Sequence, residues 1–153
     1  MSQFLYFLLV LFGLSPLAHA QKQEEIPQMY SRLQAPVQAL SAMAGNIDEM
    51  AENIPDRERA RVDLFVDKID AAVTRYSHIL VIAQIASAML DSQDYQSVLK
   101  ALKSQCNFAK KIDDIAVGGM DRAIARVTSR ALISELSKAR DLIQSLRGTP
   151  LCA

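Results

Sequence analysis

The sequence has little of what most catalytic sites use. It contains no tryptophan, two cysteines and two histidines in 153 residues. His19 lies in the apolar N-terminal segment, so a Ser-His-Asp or Cys-His arrangement in the rest of the chain would depend on His78 alone. A Glu-x-x-His pair, typical of di-metal bundles, and a Cys-x-x-Cys-His haem motif are both absent. We therefore expect no enzymatic activity, no metal site and no cofactor.

The sequence also has no excess of charge of either sign. Its 17 basic and 17 acidic residues balance, so no net field attracts nucleic acid or an anionic membrane. After residue 20, no apolar run reaches the roughly 20 residues that a membrane-crossing helix needs. The composition predicts no nucleic-acid partner and no stable transmembrane segment after processing.

The first 20 residues, MSQFLYFLLVLFGLSPLAHA, have the pattern of a secretory signal peptide. One apolar run is followed by Pro16 and by Ala18-His19-Ala20, a small-x-small cleavage signal. We expect cleavage before Gln21, export to the periplasm or the extracellular space, and a single domain over residues 21–153. A membrane anchor of similar hydrophobicity is the alternative. No Lys or Arg precedes the apolar run, which departs from the usual signal-peptide pattern.

The two cysteines predict one disulfide bond. Cys106 and Cys152 are an even pair in a small exported chain, and an oxidising compartment favours their pairing. We expect the bond within one chain, with a bond between two chains as the alternative. It would close a 47-residue loop, which contributes roughly 4 kcal/mol in the chain-entropy description.

Apolar residues recur at alternating steps of three and four along much of the remaining chain, which is the spacing of a helix that buries one stripe. The first helix places in its stripe Ile26, Tyr30, Leu33, Val37, Leu40, Ala44, Ile47, Ala51 and Ile54. Pro36 and Gly45-Asn46 predict that this helix is kinked or divided into two collinear pieces. The second helix, about 56–91, uses Val62, Phe65, Ile69, Ala72, Tyr76, Ile79, Ala83, Ala86 and Leu90.

Two further helical patterns follow, and no strand pattern is present. One contains Val98, Leu102, Ala109, Ile112 and Ala116; the other contains Leu132, Leu136, Ala139, Ile143 and Leu146. The sequence therefore predicts an all-α fold, an antiparallel bundle of three to four helices with left-handed 3-4 packing.

The turn between the last two helices has two candidate positions. Gly118-Gly119 is the stronger helix breaker, and a last helix starting at residue 120 would place Arg122, Arg126 and Arg130 on one face. Thr128-Ser129 is the alternative, and it would bring the chain end closer to Cys106. We favour the glycine pair. The arginines are then a solvated face or a surface for an acidic partner.

The stretch SHILVIAQIASAML, residues 77–90, has more apolar residues than one inward stripe uses. On the side opposite the predicted stripe lie His78, Ile82, Ile85 and Met89. Either the neighbouring helices wrap both sides of this helix, or these four residues form an interaction patch. The carboxylate pairs Asp113-Asp114 and Glu24-Glu25 are interpreted as ordinary helix-surface residues.

No motif in the sequence names an activity, so the functional hypothesis depends on the surface. We expect an exported, non-enzymatic helical bundle that acts through protein-protein interaction, as a homodimer, an envelope-complex subunit or an inhibitor. The alternative is a carrier that holds an apolar small molecule in the bundle core.

Overall fold

The computed structural model describes residues 26, 28 and 30–148, and these residues form four α-helices without a strand. Helix α1 covers residues 30–51, and residues 26 and 28 are also helical. Helices α2, α3 and α4 are Asp56–Ala88, Tyr95–Ile124 and Arg130–Arg147. None of the described helices combines the length and apolarity needed to cross a membrane. The all-α prediction is confirmed; the predicted signal peptide and Cys152 lie outside the described residues.

The core is formed by the stripes that the heptad spacing predicts. All stripe residues of α1 are buried except Tyr30 and Ile54, which are half-buried. All those of α2 are buried except Leu90, and all five of α4 are buried. In α3, Val98 and Ile112 are half-buried, while Cys106, Asp113 and Met120 complete the inward stripe. Residues from all four helices join one apolar cluster.

Helix α1 continues through the positions predicted to interrupt it. The helix is unbroken from residue 30 to residue 51, including Pro36 and Gly45-Asn46, so it is not divided into two pieces. Proline removes one backbone hydrogen bond and glycine costs about 1 kcal/mol in a helix interior. Burial of Leu33, Val37 and Leu40 on one stripe outweighs these local costs.

The predicted turn at Gly118-Gly119 is wrong, and the alternative at Thr128-Ser129 is the observed one. Helix α3 passes through both glycines and ends at Ile124. Ser129 caps α4, because its side-chain oxygen accepts a hydrogen bond from the backbone N–H of Leu132. Thr128 is held by Glu58 of α2, which accepts from its backbone N–H at 2.9 Å. Packing and capping at the later turn outweigh the weak helix propensity of the glycine pair.

Ion pairs show the antiparallel register of the later helices. Arg140 of α4 pairs with Asp121 of α3 at 2.7 Å, and Arg147, seven residues later, pairs with Asp114, seven residues earlier. Helix α4 therefore ends level with Asp114. The first part of α3, from Tyr95 to about residue 107, extends beyond the end of α4.

Candidate functional site

The predicted patch on α2 is only partly exposed. His78 is exposed, and 45% of Ile85 is accessible to solvent. Ile82 is half-buried and packs against the core, and Met89 is half-buried just beyond the end of α2. The bundle therefore encloses part of this stretch, while Ile85 and His78 face outward.

The large exposed apolar side chains among the described residues all lie on α2 and α3. They are Leu64, Val81, Ile85, Phe108 and Ile115. Ile115 is the most exposed, at 75% of its surface. Single exposed apolar residues are common on protein surfaces, but their restriction to two adjacent helices makes this part of the surface the candidate site.

Four of these residues share one side of the bundle. The buried residues of α2 alternate in steps of three and four from Val62 to Ala86, so residues separated by multiples of seven keep the same relation to the core. Leu64 and Ile85 are separated by three heptads, and Phe108 and Ile115 by one. Leu64 and Ile115 also line one open groove of about 460 Å³ between α2 and α3. We call this side the α2/α3 face.

The two helices of this face are joined in the middle by a buried polar cluster. Asp113 of α3 accepts hydrogen bonds from the Arg75 guanidinium and, at 2.9 Å, from the Tyr76 hydroxyl. This contact sets the antiparallel register of α2 and α3. Phe108, five residues before Asp113, then lies level with about residue 81 of α2. Val81, one turn before Ile85, extends the apolar surface on α2 at this level.

The prediction that Asp113-Asp114 is a helix-surface pair is wrong for Asp113. Its carboxylate is fully buried, whereas the side chain of Asp114 is half exposed and binds Arg147. Burial raises the pKa of Tyr76 above its usual range, and the nearby negative charge of Asp113 and their hydrogen bond raise it further. Tyr76 therefore stays protonated and acts as the donor. We assign this cluster to helix pairing, because the Asp113 carboxylate joins two side chains of α2 to α3.

One end of the α2/α3 face carries a groove lined by cations, with the carboxylates Glu58 and Asp67 in the adjoining pockets. An open groove of about 240 Å³ is lined by Arg61 and Lys68 from α2, Arg122 from α3 and Arg126 from the turn that follows it. Its other lining residues are apolar: Leu64, Phe65, Gly119 and Ala123. None of the four cations makes a hydrogen bond or an ion pair with the residues that the structure describes. We call this the basic groove.

The predicted arginine row is not a row on one helix. Arg122 lies in α3, Arg126 in the following turn, and Arg130 at the start of α4. Arg122 and Arg126 line the basic groove, but the exposed Arg130 does not. The prediction placed them together because it began the last helix at residue 120.

Gly119 lies against the side chain of Lys68 in the basic groove. A Cβ atom at this position would lie 2.9 Å from Cε of Lys68, closer than such atoms approach in proteins. The missing side chain lets Lys68 extend across the surface of α3 towards Arg122. Gly118, by contrast, has open space at the corresponding position. Gly119 thus contributes to the positioning of a charge.

The opposite end of the face is acidic. Asp91 and Asp94 lie in the turn between α2 and α3, and both are exposed. Neither carboxylate forms a hydrogen bond or an ion pair within the described part of the chain. Along the face, the order is therefore basic groove, apolar middle and acidic turn.

Among residues 26, 28 and 30–148, no three His, Cys, Asp or Glu side chains converge as a metal site would require. No protein-family model, curated protein or solved structure matches this chain. The candidate site therefore depends on the geometry of the α2/α3 face alone. Sequence reasoning found Ile85, Arg122 and Arg126 but missed Leu64, Phe108, Ile115, Arg61 and Lys68.

Proposed function

We propose that this chain is an exported, non-enzymatic helical bundle that binds another protein through the α2/α3 face. The observation that carries the proposal is the shared location of two unusual features. Four large exposed apolar side chains lie on one side of the bundle, and four unpaired cations line a groove at the end of that side. A partner that fits both features presents apolar side chains together with carboxylates.

The free energy of burying apolar side chains favours a partner that covers this surface. Complete burial of a large apolar side chain contributes about 1.5–3 kcal/mol, so a partner that covers Ile85, Phe108 and Ile115 gains several kcal/mol. Aromatic and aliphatic residues at the centre of an interface with charged residues at its rim are the common arrangement in protein complexes. The charges of the basic groove would select the partner and its orientation.

The second predicted function, an apolar ligand held in the bundle core, has no specific observation in its favour. The grooves described above are open to solvent and lie between helices at the surface. Side chains at the centre of the bundle, such as Leu40, Ile69 and Leu136, have no solvent exposure. We therefore propose that this protein binds its partner at the outer surface of the bundle and not in its core.

Export and the disulfide bond are part of the proposal. Cys106 lies on the part of α3 that extends beyond α4, about 12 Å from Asp114 at 1.5 Å per residue. The five residues from Gly148 to Cys152 can span about 17 Å from Arg147, which is level with Asp114. A bond from Cys106 to Cys152 would fasten the chain end to this part of α3. The regular 3-4 spacing of the buried residues supports left-handed crossing of the helices.

The test is site-specific photocrosslinking in the cells that make the protein. A photoreactive amino acid replaces Ile85 or Ile115 on the face, and Gln84 or Gln144, exposed residues elsewhere on α2 and α4, in the controls. We expect adducts that contain a second polypeptide from the two face positions and not from the controls. Equal adduct yields at all four positions, or no polypeptide adducts, would contradict the proposed function.

A further inference from the structure

The geometry points to a specific occupant of the α2/α3 face: a second copy of this chain, related by a two-fold axis perpendicular to the helices. This inference rests on the proposed function, since it names the partner that the face binds. It follows from the order of the basic groove, the apolar middle and the acidic turn along the face. An axis through the middle of the face would bring the basic groove of each copy against the acidic turn of the other.

The charged ends are placed symmetrically about the apolar middle. The basic groove is centred near residue 64 of α2, between Arg61 and Lys68, and the acidic turn contains Asp91 and Asp94. Their separation is about 40 Å at 1.5 Å per residue. The midpoint lies near His78, level with the region between Phe108 and Asp113. A two-fold axis there exchanges the two ends, as an isologous interface requires.

The same axis also matches the apolar positions. It brings Ile85 of one copy opposite Ala71 of the other, so a large side chain meets a small one. It places Phe108, which is level with about residue 81, close to the axis and therefore close to its own symmetry mate. Ile115, about seven residues from Phe108 along the face, comes level with Phe108 of the other copy. Apart from His78 near the axis, apolar residues thus meet apolar residues along the middle of the interface.

The available area is sufficient for a specific dimer. Two helices packed side by side present a surface roughly 20 Å wide. Over about 40 Å, the face offers on the order of 800 Å² per copy, which is the size of a standard specific interface. The charges at both ends, four cations against two carboxylates in each half, are complementary in sign.

The experiment compares charge reversals by analytical ultracentrifugation of the exported protein. One variant carries Arg122→Glu and Arg126→Glu, a second carries Asp91→Lys and Asp94→Lys, and a third carries all four changes. All four positions are exposed, and circular dichroism verifies the fold. Wild type should sediment as a dimer whose dissociation constant increases with salt. Each double variant should weaken it at least tenfold, because carboxylates at 122 and 126 would face Asp91 and Asp94, and cations at 91 and 94 would face the basic groove. The fourfold variant should recover most of the affinity, because the reversed positions then face each other with opposite charges.

Recovery in the fourfold variant is the decisive result, because it requires the two ends to meet each other between copies. A fourfold variant no tighter than either double variant would overturn the inference. A wild-type protein that remains monomeric at concentrations up to about 100 µM would also overturn it, because its dissociation constant would then lie in the range of weak association.

A substitution in the apolar middle of the face covers the possibility that charge reversal at its ends disturbs the fold. Ile85→Glu should abolish the dimer, while Gln84→Glu, one residue away and also exposed, should leave it unchanged. Equal effects of the two substitutions would contradict the inference. The crosslinking experiment separates the two proposals: face adducts with a different protein reject the second copy but retain the proposed function, and adducts of this chain with itself support both.

Discussion

The Tyr76 hydroxyl of α2 donates a hydrogen bond of 2.9 Å to Asp113 of α3, inside a core that is otherwise apolar. Arg75, the neighbour of Tyr76, binds the other carboxylate oxygen. This cluster sets the register of the two helices that carry the α2/α3 face. The positions of Phe108 and Ile85 relative to each other therefore depend on Asp113.

Asp113→Ala should strongly destabilise the protein. It removes the acceptor from the largely buried Arg75 and from Tyr76, and the buried Nε of Arg75 already lacks a partner among the described residues. Loss of one member of a buried pair costs about 3–5 kcal/mol. Asp114→Ala is the matched control on the exposed side of α3 and should cost at most about 1 kcal/mol. Urea unfolding measures both; similar losses would contradict the assigned role of Asp113.

The raised pKa of Tyr76 predicts that the folded protein loses stability in alkaline solution. Burial and Asp113 raise its pKa in the folded protein, while the unfolded chain ionises near the usual value of about 10. The stabilisation is therefore complete below about pH 10 and decreases as the pH rises above it, because the unfolded state then loses its proton first. Urea unfolding between pH 8 and pH 11 should show a steeper loss for wild type than for Tyr76→Phe. Parallel curves would exclude Tyr76 as the cause.

Ile82 and Ile85 should respond differently to the same substitution. Ile82 packs against the core, so Ile82→Glu places a charge next to buried apolar side chains and should cost about 2–3 kcal/mol. Ile85 is 45% exposed, so Ile85→Glu should change the stability of the folded monomer by about 0.5 kcal/mol or less. Thermal unfolding at a concentration well below the dimer dissociation constant makes the comparison. Equal destabilisation would show that the core also needs Ile85.

The two glycines of α3 form a natural pair of variants. Gly118→Ala should stabilise α3 by about 0.5–1 kcal/mol, because the Cβ of the introduced alanine meets open space. Gly119→Ala should gain less, since its Cβ displaces Lys68. It should also weaken dimer formation, whereas Gly118→Ala should not. Unfolding and sedimentation of both variants measure these effects; a dimer that tolerates both changes equally would argue against a role for the position of Lys68.

The predicted disulfide can be tested by thiol counting and by stability. The unfolded, unreduced protein should react with no thiol reagent, and Cys152→Ser should release one reactive thiol at Cys106. This variant should lose roughly 4 kcal/mol of stability, and reduced wild type should lose a similar amount. Two reactive thiols in the unreduced protein would exclude the bond, and a product of twice the mass that reductant separates would indicate a bond between chains.

The inward stripes of α1, α2 and α4 could be predicted because they contain only apolar residues at regular spacing. The stripe of α3 includes Asp113, and a carboxylate gives no sign of burial until Arg75 and Tyr76 are placed beside it. The helix end was mispredicted at Gly118-Gly119, since the local cost of glycine is visible in a sequence and the packing of Met120 is not.

The α2/α3 face could be predicted only in fragments. Ile85 belongs to a noticeable apolar stretch, but Leu64 and Ile115 stand next to apolar residues of the buried stripes, so their exposure is not visible in the sequence. They become one surface only when the register of two antiparallel helices is known. Arg61 and Lys68 come close to Arg122 and Arg126 for the same reason, although about 60 residues separate them in the sequence.

Because α4 ends level with Asp114, the helical hairpin formed by the end of α2 and the start of α3 packs against fewer of the described helices than the rest of the bundle does. Amide hydrogens near Ala101 and Lys103 should consequently exchange with deuterium before those near Ala116, and unfolding should begin at this tip. A covalent link at Cys106 would act where the fold opens first, and the second copy would add its own protection there by holding Asp91 and Asp94.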